Sequence, residues 1–288
     1  MKAALFLREI RVEHTLFALP FAYAGALVAA RGVPPWPVIG WITLAVLGAR
    51  TAAMAANRYF DRDIDARNPR TARRALATGT LSPASMLAAI VAGLAVLLWA
   101  AWMLNPLCVK LLPIAGAGVL LYPLCKRVTW LTHFVLGAVD GLAPLGAYIG
   151  VAGHVSWAAL LLFAAVTVWV AGFDIVYALM DLPVDRAQGI RSLPARFGER
   201  SGHTLPIGLH AAMTVLLALA GIAAQAAPLY YAGVAAAALL VVYEDRLLRV
   251  AENVFALNER IFVANMAFSV VFLATTLASF VRAPGTPA

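Results

Sequence analysis

Charge is scarce in this sequence. Only 12% of its 288 residues are Asp, Glu, Lys or Arg, about half the share that soluble domains carry, which excludes a water-soluble fold. Hydrophobic residues make up 63% and the mean hydropathy is +0.85. A chain that apolar has ample surface to bury, so disorder is excluded too. Cysteine is nearly absent: Cys108 and Cys125 both border apolar runs, and neither their number nor their spacing makes a disulfide framework or a zinc site. The apolar runs lack the alternation of period two that a membrane barrel requires. What is left is an all-α integral membrane protein.

Windows of about 20 mostly apolar residues, enough to cross hydrocarbon as a helix, lie at 14–30, 36–56, 81–104, 107–124, 130–151, 157–180, 204–225, 228–243 and 261–281. They predict a polytopic bundle of nine transmembrane helices, forming one domain over 1–288. The first window resembles a signal peptide, but Glu9, Arg11 and Glu13 interrupt its approach and more windows follow, so an uncleaved first helix is expected. The small residues Gly116/Gly118, Gly137/Gly141 and 233–238 suit close helix packing.

Basic residues set the orientation. Lys2, Arg8 and Arg11, the stretch from Arg58 to Arg74, the pair Lys126-Arg127, then Arg186, Arg191, Arg196, Arg200, Arg246, Arg249 and Arg260 all fall on the amino-terminal side. The opposite side has only Arg31, Lys110 and Arg282, and Arg50 lies inside a span. Positive charge marks the cytoplasm. The amino terminus is therefore expected inside, in a prokaryotic cell membrane. The excess of 22 Lys+Arg over 14 Asp+Glu is thus a topology signal with the lipid bilayer as partner, not a nucleic-acid surface.

Two cytoplasmic helix ends carry the unusual chemistry. In the first, Asn57, Asp61 and Asp65 recur every four residues, with Arg50 seven before Asn57; in the second, Tyr177, Asp181 and Asp185 do the same, with Asp174 seven before Asp181. Spacing of four puts each set on one helix face, although Pro183 can bend or end the second. Basic stretches follow: Arg70, Arg73 and Arg74, then Lys126-Arg127 after Tyr122, then Arg191 and Arg196. Carboxylates stacked on one face repel unless a cation lies between them. Hard oxygen ligands suit Mg²⁺, which completes its shell with water and phosphate oxygens, and Arg and Lys suit the remaining oxygens. For one motif alone, solvated acids pairing with nearby arginines would be as good a reading. Two copies at one membrane face favour a lipid-linked diphosphate. Asp63 and Arg62 point off that face, and Glu199, Glu244, Asp245, Glu252 and Glu259 read as ordinary loop acids.

At these residues the chain resembles the UbiA superfamily of intramembrane aromatic prenyltransferases. Asn57, Asp61 and Asp65 match the first family motif, Asn-Asp-x-x-Asp-x-x-x-Asp, with Arg58 standing where the family has an aspartate. Arg70 to Arg74 with Thr78-Gly79 match its basic stretch, Tyr122 and Lys126 its Tyr-x-x-x-Lys segment, and Asp181 and Asp185 its second acidic motif. The resemblance implies that Asn57, Asp61, Asp65, Asp181 and Asp185 hold Mg²⁺, the four aspartates being catalytic. It implies a polyprenyl diphosphate bound by Arg70, Arg74, Lys126 and Arg191, with Tyr122 and Tyr177 beside it, and a hydroxylated aromatic carboxylic acid as acceptor. Arg50 would hold the acceptor carboxylate or, alternatively, pair with Asp140, another charge within a span. Asp140 would orient an acceptor hydroxyl or serve only Arg50. Residues 13–22 and 48–55 are similar to the branch that makes menaquinone through futalosine, whose acceptor is a dihydroxynaphthoate; 4-hydroxybenzoate is the other acceptor implied. His14 is read as packing or interface anchoring.

Two other classes compete. A secondary transporter would concentrate ionisable groups near the midplane, whereas here they crowd the cytoplasmic ends. Intramembrane alcohol phosphotransferases open on Asp-Gly-x-x-Ala-Arg, and Asp140-Gly141 continues Leu-Ala-Pro instead.

Overall fold

A computed structural model describes Leu5, Phe6, Glu9 and residues 15–250 and 253–281. Lys2, Arg8, Arg11, Glu13, His14, Glu252 and Arg282, used in the expectations above, lie outside these residues. Among the described residues all regular structure is helical. The long helices are α1 (Thr15–Ala30), α2 (Trp36–Ala66), α3 (Pro83–Leu104), α4 (Pro106–Cys125), α5 (Thr132–Ala152) and α6 (Trp157–Ala178). A 3₁₀ turn (Leu179–Asp181) and the short α7 (Leu182–Gln188) and α8 (Leu193–Phe197) lead into α9 (Glu199–Ala223), α10 (Pro228–Val250) and α11 (Val254–Phe280).

Local chemistry sets several of these ends. Ser82 and Asn105 cap α3 and α4, each followed by a proline at the first helical position, where the missing N–H costs nothing. Asn105 also donates to the Ile149 carbonyl at 2.7 Å, tying that corner to the far end of α5. Pro183 cannot donate to the Leu179 carbonyl, and α6 gives way to the 3₁₀ turn at that point. Tyr177, Asp181 and Asp185 therefore do not share one unbroken α-helical face.

All nine apolar windows coincide with helices, but among the described residues seven segments, with α6 counted through Gln188, are long and apolar enough to cross a membrane by length and composition. The 16 residues of α1 rise about 24 Å, short of a hydrocarbon core of about 30 Å. The end of α10 carries Glu244, Asp245, Arg246 and Arg249. These segments make the protein integral and multi-pass. By contrast the 31 residues of α2 rise about 46 Å, so its last turns, with the first acidic motif, extend past the apolar layer.

Helices approach through glycine. A Cβ on Gly48 would lie 2.7 Å from the Gly93 carbonyl oxygen, and one on Gly93 would lie 2.6 Å from that of Gly48, so α2 and α3 touch backbone to backbone. Gly137 and Gly141 do the same for α5 against Thr167 and Phe163 of α6. Gly233 abuts Thr275, and Gly118 abuts Val139; Gly116, grouped with them on sequence, faces open space.

The largest core joins α1, α6, α9, α10 and α11 around Phe21, Trp169, Met213, Tyr230 and Phe272. A polar network crosses it. His210 Nδ1 meets Glu244 Oε2, Asn265 donates to Glu244 Oε1 at 2.6 Å, and Trp169 Nε1 donates to Asn265 Oδ1 at 2.5 Å. His210 Nε2 reaches the Trp169 carbonyl at 3.0 Å, and a side chain on Gly172 would collide with the imidazole. Glu244 is 1% exposed. The loop-acid reading of Glu244 is thus corrected: the helix continues past 243 and buries it against two neighbours.

Candidate active site

The ends of α2, α4 and α6 and the start of α5 surround a polar cavity of about 330 Å³. Every site residue read from the sequence lines it: Arg50, Asn57, Asp61, Asp65, Arg70, Arg74, Tyr122, Lys126, Asp140, Tyr177, Asp181, Asp185 and Arg191. The two acidic motifs, more than a hundred residues apart in sequence, therefore face one space. Arg62 and Asp63 pair with each other on the outside at 3.6 Å.

Each acid but one is matched with a base. Asp61 accepts from Lys126 Nζ at 2.5 Å and from Asn57 Nδ2 at 3.1 Å, both on Oδ2. Its other oxygen, Oδ1, is buried and has no hydrogen-bond partner among the described residues. Asp65 accepts from Arg74 Nη1 on both oxygens, at 2.8 and 2.7 Å. Asp181 accepts from Arg70 through Nε at 2.8 Å and through Nη2, and from Asn68 Nδ2 at 2.8 Å. The hydrogen bond to Asp181 raises the Arg70 guanidinium above its ordinary pKa, against the opposing effect of burial. Asp185 makes no side-chain hydrogen bond or ion pair among the described residues.

Two further site residues are tied to backbone. Tyr122 donates to the Ala53 carbonyl at 3.3 Å. Arg191 donates its guanidinium to the Val128 carbonyl, while its backbone N–H donates to that of Lys126 at 2.8 Å. That link fastens the loop after the second motif to the end of α4.

Arg50 Nη1 donates to Asp140 Oδ1 at 2.9 Å, and Arg50 Nε is buried without a partner among the described residues. The ion-pair alternative for Arg50 is therefore the arrangement found. The pair also lines a second, apolar cavity of about 370 Å³ among α2, α3, α4 and α5, so it stands where a polar and an apolar space meet.

Sequence reasoning missed three contributors. Asn68 supports Asp181 and turns back to accept from Arg70 N at 2.9 Å; Asn-Pro at 68–69 was its signal. Arg58, noted on sequence only as a departure from the family motif, is buried, donates to Asn57 Oδ1 at 2.9 Å and pairs with Glu9 at 3.7 Å. His133 meets Asp174 at 2.7 Å in the cavity wall.

Among the described residues no three His, Cys, Asp or Glu side chains are gathered to hold a metal ion. The carboxylates are drawn instead to Lys126, Arg70 and Arg74. The donor set still fits a hard divalent ion: oxygens predominate, and Asp61 Oδ1 is a buried anionic oxygen lacking a partner.

Residues 18–280 match the UbiA prenyltransferase family. The chain belongs to that family. This UbiA-family protein is 33% identical over 225 residues to a 4-hydroxybenzoate octaprenyltransferase of Alkalilimnicola ehrlichii, covering 78% of this chain and 76% of that one. A UbiA homologue of Aeropyrum pernix K1 has the same fold, with a TM-score of 0.83 and 33% identity over 92% of this chain and 98% of that one. A UbiA homologue of Archaeoglobus fulgidus bound to GPP and Mg²⁺ is more distant, at 18% identity and a TM-score of 0.71 over 95% and 99% of the two chains. The chain is accordingly an enzyme of prenyl transfer.

Proposed function

We propose that this protein transfers a polyprenyl group from polyprenyl diphosphate to 4-hydroxybenzoate, a step of ubiquinone synthesis. The observation that carries the reading is the position of Arg50 and Asp140 on the boundary between the two cavities. The charged space suits a diphosphate, the apolar space suits its isoprenoid tail, and Arg50 at their junction suits the acceptor carboxylate. The relative's activity supports 4-hydroxybenzoate. Dihydroxynaphthoate, the other acceptor implied by the sequence, has no support among the relatives named above.

Lys126, Arg70 and Arg74 would bind the diphosphate oxygens, exchanging part of their present pairing with Asp61, Asp181 and Asp65. Asn57, Asp61, Asp65, Asp181 and Asp185 would hold Mg²⁺, which supplies neutralisation of the leaving diphosphate when bound. Arg191 and Tyr122, tied to backbone, shape the wall beside it. Apolar walls at the junction exclude water from the allylic cation formed as the C–O bond breaks. Arg50 orients the phenol ring for attack. All nine apolar helices are read as spans, in a bacterial inner membrane with the charged cavity on the cytoplasmic side, as the basic loops suggest.

Purified protein given one polyprenyl diphosphate, Mg²⁺ and either acceptor tests this by mass of the product. Prenylated 4-hydroxybenzoate is the expected result. Diphosphate cleavage without an aromatic product, or product only from dihydroxynaphthoate, counts against it.

A further inference from the structure

Aromatic substitution needs something that the diphosphate site does not provide. When the allylic C–O bond breaks, its electron pair leaves with diphosphate, and the ring carbon beside the hydroxyl forms the new C–C bond. That carbon still carries a hydrogen. Its C–H bond must then break, returning the electron pair to the ring and handing a proton to a base.

Asp61, Asp65 and Asp181 are held by Lys126, Arg74 and Arg70 at the outer part of the cavity. Asp140 is held by Arg50. Asp185 makes no such pair but lies in α7, on the far side of Asp181 from the span. Asp174 differs from the four paired acids in that its partner is an imidazole and not a Lys or Arg. Its Oδ2 lies 2.7 Å from His133 Nδ1, and among the described residues its Oδ1 has no hydrogen-bond partner. The side chain is 31% exposed and lines the polar cavity.

The imidazole is fixed in one state by its second contact. The Leu193 backbone N–H donates to His133 Nε2 at 3.3 Å, and the ring is 3% exposed. A backbone N–H can only donate, so Nε2 keeps its lone pair and the proton resides on Nδ1, donating to Asp174. Asp174 thereby remains an acceptor with one oxygen left for the cavity.

Depth agrees with this role. Asp174 lies seven residues before Asp181, as Arg50 lies seven before Asn57. Arg50 is about 10 Å along α2 from Asn57, and Asp174 lies about one turn inside the end of α6, so both stand inward of the acidic motifs that would face the diphosphate.

We propose that Asp174 is the base that takes the ring proton onto Oδ1, with His133 as its positioning residue; this rests on the acceptor being an aromatic ring, as proposed above. The proton passes from the neutral carboxylic acid to water in the polar cavity.

The test compares wild type with Asp174→Asn, using 4-hydroxybenzoate deuterated on the ring, and measures binding of a non-ionising prenyl thiodiphosphate separately. Product formation should fall by about 10²–10⁴-fold, with thiodiphosphate binding unchanged. The variant, slowed at proton removal, should show a primary isotope effect larger than that of wild type. Asp174→Glu should recover part of the rate, and His133→Gln should show the same isotope effect with a smaller loss. Asp174→Asn turning over at the wild-type rate would overturn the assignment, as would a slow variant with no isotope effect or one that no longer binds thiodiphosphate. Should Asp174→Asn fail to fold, His133→Gln decides alone by the presence or absence of the isotope effect. Failure of the wild type to prenylate any aromatic acid sinks the proposed function itself, a result distinct from all of these.

Discussion

Arg58 holds the Asn57 amide from one side while Asp61 holds it from the other. Its Nη1 donates to Asn57 Oδ1 at 2.9 Å, and Asn57 Nδ2 donates to Asp61 Oδ2 at 3.1 Å. The residue that departs from the family motif is thus a buried support of that motif, anchored in turn on Glu9. Arg58→Met should lower stability in detergent by about 3 kcal/mol, because it leaves the buried Glu9 carboxylate with the Ala75 N–H but without its cation. The double variant with Glu9→Gln should lose clearly less than the two single losses combined, read as thermal midpoints. Strict additivity would mean that the pair contributes nothing.

Arg50→Ala removes the charge at the junction of the two cavities. The acceptor KM should rise by roughly 10-fold or more, the worth of a charged hydrogen bond, with the prenyl diphosphate KM little changed. Steady-state kinetics with each substrate varied in turn checks it, and an unchanged acceptor KM would leave Arg50 as a partner of Asp140 alone.

Asp61→Asn and Asp181→Asn each remove an anion already matched by a cation. Turnover should drop by about 10²–10³-fold or more, while size-exclusion profile and helicity in detergent stay as in wild type. Full activity in both variants would take away the metal argument.

How much of this was visible beforehand depended on whether a partner was near in sequence. The recurrence of Asn57, Asp61 and Asp65 every four residues needs only helix geometry, and α2 does continue through all three. Arg50 and Asp140 could be paired on sequence because they are rare charges inside spans. Glu244 could not. The apolar window stops at a charge by construction, and the groups that accommodate this one, His210 and Asn265, come from other helices at 34 and 21 residues' separation. The pairing of His133 with Asp174 was hidden for the same reason. The break at Leu179–Asp181 was foreseeable from Pro183, but its form was not, since several local geometries satisfy a missing N–H.

Gly137→Ala would set a Cβ 2.1 Å from the Thr167 carbonyl oxygen, and backbone cannot swing aside as a side chain can. Stability should fall by about 1–3 kcal/mol, whereas Gly116→Ala, in open space, should cost almost nothing. A thermal shift of equal size in both would show that α5 and α6 are not packed this way.

His210→Ala leaves Glu244 buried without its imidazole. A loss of about 3 kcal/mol is expected, and Glu244→Gln in the same background should restore part of it. Detergent melts of the single and double variants measure both, and a harmless His210→Ala would mean the contact carries no energy.

Glu244 also constrains how the protein is made. On its own, α10 would carry an unmatched carboxylate on the face that packs against its neighbours. Only when Asn265 has left the ribosome are both of its companions present, so the packing of α9, α10 and α11 around this carboxylate closes only once α11 is made.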